Sequence, residues 1–325
     1  MEQLSFNIPN VGERPRVNNN SMLLLKMTEM PNQKSVMFPQ IVSLVLFILS
    51  SVFAVYLANI ALQVEPSITP KSTTTGVYYI FYYIAVALIF SFLLLFFGRR
   101  YKLNFLRWLF IALIGLVVFY VWSYLGLELA DTYSQYYAMI ILAPVITMAA
   151  LVLYGRWFVV DIAGFFLSTG MAFILGIILG IWAAAIFLAI FAVYDYVSVY
   201  KTKHMVGLAK MALDLDLPML FIFPSEPSSG EVKIELSDDG VKDHSAMALG
   251  FGDIAFPGIM VVASWVYGRG IGLPVPFLIF PLIGGAAGML YLMFGKVKKP
   301  APGLPFLNTG VILGTLLSYL IFVAR

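Results

Sequence analysis

The chain contains no cysteine, which excludes disulfides, thiolate metal sites and a cysteine nucleophile. Histidine is nearly absent as well. Only His204 and His244 occur, both outside the apolar segments, so neither a His-rich metal centre nor a Ser-His triad fits inside a membrane. Charge is scarce: Asp, Glu, Lys and Arg make up 11% of the residues, against about 25% in a soluble domain. No polar stretch is longer than the N-terminal tail, so there is no separate extramembrane domain. What remains is apolar. Of 325 residues, 61% are hydrophobic and the mean hydropathy is +0.92, the composition of an integral membrane protein. No cofactor, metal or nucleic acid is expected.

From Phe38 onward the apolar residues resolve into nine segments, each near the ~20 residues a helix needs to cross ~30 Å of hydrocarbon. They run over 38–62, 77–97, 105–127, 136–154, 158–176, 179–200, 246–267, 273–294 and 304–323. Residues 157–200 form one apolar block, too long for one span, which divides at Gly176 to Gly180. Continuous apolar runs without period-two alternation indicate helices rather than a membrane barrel. With the N-terminus inside, 17 of the 20 basic residues fall in inner segments, leaving only Lys71, Arg269 and Arg325 outside. That bias sets the orientation: N-terminus inside, C-terminus outside. The expected fold is therefore an all-α polytopic membrane protein of nine transmembrane helices, in the cell membrane.

The chain divides into a polar cytosolic tail at 1–36, helices one to six over 37–200, a cytosolic stretch at 201–245 and helices seven to nine over 246–325. The tail is either native or an added extension ahead of Met37. In the 201–245 stretch, His204 to Leu217 carries Lys210, Asp214 and Asp216 among apolar residues, the pattern of an amphipathic helix on the inner surface. It reads as a membrane anchor, or as a lid or substrate guide.

Two aspartates stand inside apolar segments. One lies in Phe191-Ala192-Val193-Tyr194-Asp195-Tyr196, the other in Gly250-Phe251-Gly252-Asp253. A charged side chain at mid-membrane costs about 3 kcal/mol on insertion scales, and it marks function by default. Under the topology above, both lie roughly 8–11 Å below the inner boundary at 1.5 Å per residue, on antiparallel neighbours. Two adjacent carboxylates cannot both ionise cheaply, so such a pair shares one proton. One can then take a proton from an attacking water while the other polarises a peptide carbonyl and serves the leaving amine. Gly250 and Gly252 remove bulk beside Phe251, letting a neighbouring helix or substrate backbone come close. Tyr194 is either a hydrogen-bond donor toward the pair or a packing residue.

Tyr194-Asp195, Gly250-Phe251-Gly252-Asp253 and the nine spans resemble the presenilin and signal peptide peptidase family of GxGD-type intramembrane aspartyl proteases. The orientation is similar to presenilin, and the short loop between spans six and seven to a compact archaeal-type homologue. The family's Pro-Ala-Leu motif corresponds to Pro305-Phe306-Leu307, after Leu304, with Phe306 departing from the pattern. The resemblance implies hydrolysis of peptide bonds within membrane-spanning segments, Asp195 and Asp253 as catalytic residues, and Leu304 to Leu307 as a substrate contact. Single-span membrane proteins would be the substrates, lipid the surroundings, and a homo-oligomer a compatible assembly.

A helical substrate must unwind before hydrolysis, and its bared backbone then needs partners, which strand addition supplies. Val232, Ile234 and Leu236 alternate with polar residues and are the candidate strand edge, alongside the backbone groups that Pro305 leaves unpaired. Asp161, a third acid in the spans, either tunes the pair or lines a water path, or is solvated near the inner interface or paired with Arg156. Gly284-Gly285-Ala286-Ala287-Gly288 is a small-residue face for close helix contact, internal or between protomers. The alternative function is a transporter or leak channel using Asp195 and Asp253 as a proton or cation relay; no corresponding acidic pair in the first four spans supports it.

Overall fold

The computed structural model describes residues 33–66, 82, 85–86, 104–154, 156–200, 217–224, 236–237, 240–241, 246–294 and 303–324. The expected second span at 77–97 falls almost wholly outside these residues. So do the N-terminal tail up to residue 32, the amphipathic stretch 204–216, Val232 and Ile234.

Seven helices carry the described fold: α1 Gln33–Val64, α2 Asn104–Leu129, α3 Tyr133–Leu153, α4 Trp157–Tyr200, α5 Phe251–Gly270, α6 Pro276–Phe294 and α7 Leu304–Phe322. Among the described residues, six are long and apolar enough to cross a membrane, and Pro276–Leu292 of α6 is a shorter apolar helix. In hydrocarbon every backbone N–H and C=O must be satisfied within its own segment, so apolar runs of this length are helical whatever their propensities. Where the chain turns at a surface, side chains take over that task. At the start of α3, Thr132 Oγ1 accepts from the Gln135 N–H at 3.4 Å, and Gln135 Oε1 accepts from the Thr132 N–H at 3.2 Å. This capping box closes the tight α2–α3 turn.

As one rod, the 44 residues of α4 would be ~66 Å long at 1.5 Å each, about twice the hydrocarbon thickness. The helix breaks at Gly180, whose φ of 70° and ψ of 174° are non-helical. Positive φ costs glycine nothing, so the apolar block folds as two helical halves, divided at the last residue of the expected Gly176–Gly180 break.

Two departures from the all-helical expectation matter. Residues 246–250 are a strand, not the first turns of a helix: β4 Ala246–Gly250 pairs antiparallel with β1 Leu220–Pro224. Between them, β2 Leu236–Ser237 and β3 Gly240–Val241 form a second, minimal pair. Gly250 and Gly252 are poor helix formers, and pairing with the Phe-Ile-Phe run of β1 satisfies the backbone of 246–250 instead. Helix α5 consequently begins at Phe251.

The core lies between α1, α4, α5 and α7, where Phe47, Leu57, Ile177, Leu188, Phe221, Ile254, Val261 and Leu307 are buried. Helices α6 and α7 approach almost to backbone contact. A Cβ built on Gly284 would collide with the carbonyl oxygen of Gly310, and one on Gly288 with that of Phe306. The small-residue face of α6 is therefore an internal contact with α7.

Candidate active site

Leu188 and Asp195 are seven residues, or two turns, apart on α4 and so share a face. On α7, Leu304 and Asn308 are one turn apart. These faces meet. Asp195 is only 3% exposed, and its Oδ2 accepts the Leu304 N–H at 3.2 Å. Asn308 is fully buried, and its Nδ2 donates to the Leu188 carbonyl oxygen at 3.0 Å. The Leu304 N–H opens a helix and has no intrahelical partner of its own, and the next residue, Pro305, has no N–H to offer. A carboxylate at this helix N-terminus is also favoured by the helix dipole. Two polar contacts thus dock the first turn of α7 on the second half of α4. Asn308 was not picked out from sequence, although a lone Asn in an apolar span is the signal that could have found it.

Asp253 is the third residue of α5, and its Oδ2 accepts the Gly250 N–H at 3.2 Å. This is the carboxylate half of a capping box, and it turns the side chain back toward the end of β4. On its other side stands Gly303, where a Cβ would come within 3.1 Å of Asp253 Oδ1. Gly303 and Leu304 are consecutive, so the two carboxylates converge on the same point, the N-terminus of α7.

The other expected site residues separate into two groups. Pro305 sits in the first turn of α7, Leu307 is buried beneath it, and Phe306 lays its ring on Tyr291 with centroids 5.3 Å apart. They continue the turn that Leu304 opens, and Leu304 is the one whose N–H meets Asp195. Phe251 instead points into the core, edge-on to Phe221 at 4.6 Å, with its ring against Gly164, where a Cβ could not fit. Its carbonyl accepts the Ser168 hydroxyl at 3.1 Å, so Phe251 anchors the start of α5. The Phe256 ring covers Gly252. Tyr194 is 39% exposed with its ring toward Phe191 at 6.3 Å, a packing contact. Leu236 lies in β2, opposite Val241.

Asp161, half-buried in the first half of α4, takes a backbone partner. Its Oδ1 accepts the Ile222 N–H of β1 at 2.9 Å. A strand brought alongside α4 offered a fixed backbone donor, and that donor was invisible to loop-by-loop reading.

The whole region from within α1 to α7 matches a single family description: residues 44–324 fit the family "Signal-peptide peptidase, presenilin aspartyl protease". The chain belongs to this family. It is an aspartic endopeptidase and a multi-pass membrane protein. Among solved structures it is similar to one described as a presenilin family intramembrane aspartate protease, at 26% identity and a TM-score of 0.63. The match covers 87% of this chain and 99% of that one. No curated protein matches the sequence. Within this presenilin-type protease, the buried carboxylates at the start of α7 are the acidic groups on which the family's chemistry can be sought.

Proposed function

We propose that this protease hydrolyses peptide bonds within transmembrane segments of membrane proteins, with Asp195 and Asp253 as its catalytic pair and water as nucleophile. The observation that carries the reading is the convergence of both carboxylates on Gly303 and Leu304. One carboxylate accepts a proton from the attacking water. The other, protonated, polarises the scissile carbonyl and then protonates the departing amine. Held in an apolar setting by single backbone N–H groups, the pair shares one proton more cheaply than it carries two charges. The full topology in this reading has nine spans, with the N-terminus inside and the C-terminus outside.

The hairpin suggests how an unwound substrate is received. In an antiparallel ladder, hydrogen-bonded and non-hydrogen-bonded pairs alternate. Ile222, opposite Ala248, gives its N–H to Asp161, and the Gly250 N–H goes to Asp253. The Phe251 N–H donates to the Met219 carbonyl at 3.3 Å, which continues the same alternation. The backbone groups of Ala246 and Ala248 therefore face away from β1, where no further strand pairs among the described residues. A substrate strand added to that edge runs toward Gly250 and the carboxylate beside it. This moves the receiving edge from the expected 232–236 stretch to β4, with Leu304 to Leu307 on the far side.

The test is cleavage of a single-span peptide reconstituted with the protein in lipid vesicles. Wild-type cleavage that is lost in both Asp195→Asn and Asp253→Asn supports the reading. Proton flux without proteolysis would sink it and favour a relay.

A further inference from the structure

Asp161 is an acid within a span that the mechanism above leaves unused, and its partner is unusual. It reaches from the first half of α4 to a backbone N–H of a strand, 61 positions away in sequence. That N–H belongs to Ile222, the central residue of β1, on the side turned away from β4. An edge strand beside an apolar helix has donors that the helix backbone cannot satisfy, because helical carbonyls are already engaged. The Asp161 carboxylate supplies the missing acceptor, acting as a one-residue stand-in for a neighbouring strand.

The consequences run along the hairpin. Phe221 and Phe223 flank Ile222, are buried, and stack on each other with centroids 5.9 Å apart. Phe221 also meets Phe251 at the start of α5. Through Phe221↔Leu249 and Leu220↔Gly250 the register of β1 sets that of β4, and β4 ends at Gly250, whose N–H holds Asp253. A strand slip of one residue would turn every side chain to the other face and withdraw the Gly250 N–H from the carboxylate. We infer that Asp161 is a positioning residue: its bond to the Ile222 N–H locks the register of the β1–β4 hairpin. It thereby fixes both the orientation of Asp253 and the alignment of the strand edge offered to substrate.

This rests on the catalytic pair proposed above, so the test has two readouts. Asp161→Ala removes the acceptor, and Asp161→Asn keeps an oxygen in its place. Hydrogen exchange followed by mass spectrometry on the full-length protein in lipid should show faster exchange over 220–224 and 246–250 in the Ala variant, with the Asn variant close to wild type. In the peptide-cleavage assay, Asp161→Ala should lower kcat by about ten- to a hundredfold, the scale of an ångström-level misplacement. It should leave KM within a few-fold and spread the product ends over neighbouring bonds, and Asp161→Asn should restore both rate and position. Wild-type exchange in the hairpin of Asp161→Ala would overturn the inference. So would unchanged product ends in an active Ala variant, or equal loss in the Ala and Asn variants in step with a fall in Tm. Wild-type protein that cleaves nothing overturns the protease reading instead, and the exchange readout then decides the lock by itself. Ile222→Pro deletes the donor without touching the ladder; it should reproduce the Asp161→Ala exchange pattern and add nothing to it in the double variant, and an additive effect would also overturn the inference.

Discussion

Helices α3 and α5 are nearly equal in length, 21 and 20 residues, but opposite in their surroundings. The best apolar window of α3 is 17% buried in protein, whereas that of α5 is 67% buried. Yet α3 is the more apolar of the two. In water the order would be reversed, because burial and hydrophobicity rise together there. In a bilayer the lipid is as apolar as any side chain, so burial is granted for close packing and polar contacts. Helix α3 turns Ile141, Leu142, Val145 and Ile146 outward. Helix α5 carries Gly252, Asp253, Gly258, Ser264 and Gly268 and lies in the middle of the protein. A less hydrophobic span in a membrane protein is thus one to inspect for function.

Removing the acids from the packed region should have the largest effect. Asp195→Asn and Asp253→Asn should each reduce the cleavage rate by at least ~10²–10⁴-fold, the usual worth of acid–base catalysis, read from peptide turnover in vesicles. Substitutions on the outward face of α3, such as Ile146→Leu, should leave turnover unchanged. In wild type the rate should fall on both sides of an optimum. On the acid side both carboxylates are protonated and the base is lost; on the alkaline side neither is, and the acid is lost. A rate that only climbs with pH would contradict a pair sharing one proton.

Next in size is backbone contact. Gly284→Ala puts a methyl group into the Gly310 carbonyl, where only backbone can give way. It should cost about 1–3 kcal/mol, the usual range for overpacking, and lower Tm in detergent. Gly126→Ala, in α2, meets side chains alone, the Tyr136 ring edge at 3.1 Å and Ile140 at 3.7 Å, and should stay within about 0.5 kcal/mol. Equal losses at the two sites would break the contrast between the regions.

Asn308→Ala should cost about 0.6–2 kcal/mol, the range for an interhelical hydrogen bond in a membrane. It should lower turnover as well, because the turn that carries Leu304 loses one of its two holds on α4. The smallest effect belongs to the loose end: Thr132→Ala removes an exposed cap from α3 worth about 1 kcal/mol. It should show as local fraying in hydrogen exchange, with cleavage untouched.

Much of the helical frame was legible because it answers to one local rule, the length of an apolar run. Helices α1, α2, α3, α6 and α7 lie within a few residues of the expected segments, and Gly180 marks the division of the long block. Helix α5 was misplaced at its start for a reason the same rule cannot capture. Ala246 to Gly250 is apolar enough to continue the helix, but its backbone found a partner in β1, twenty-two or more residues away in sequence. The partner of Asp161 was illegible for the same reason: nearby Arg156 offered a charge in sequence, and Ile222 offered a donor in space. Of the strand expected at Val232 to Leu236, only Leu236 lies within the described residues, in β2, and the ladder that leads to Asp253 lies at β1 and β4.

The sequence by itself determined that the chain is embedded in a membrane, that its long apolar runs are helical, and that Asp195 and Asp253 are costly enough to need a purpose. These follow from the transfer energetics of single residues and runs, which need no knowledge of neighbours. Only the tertiary structure decided which backbone groups hold the two carboxylates. Leu304 offers an N–H because a helix begins there, Gly303 leaves space because it lacks a Cβ, and Gly250 is fixed by a strand partner. Each of these is a pairing between distant backbone groups, and backbone groups are alike at every residue, so composition and pattern carry no trace of which will meet.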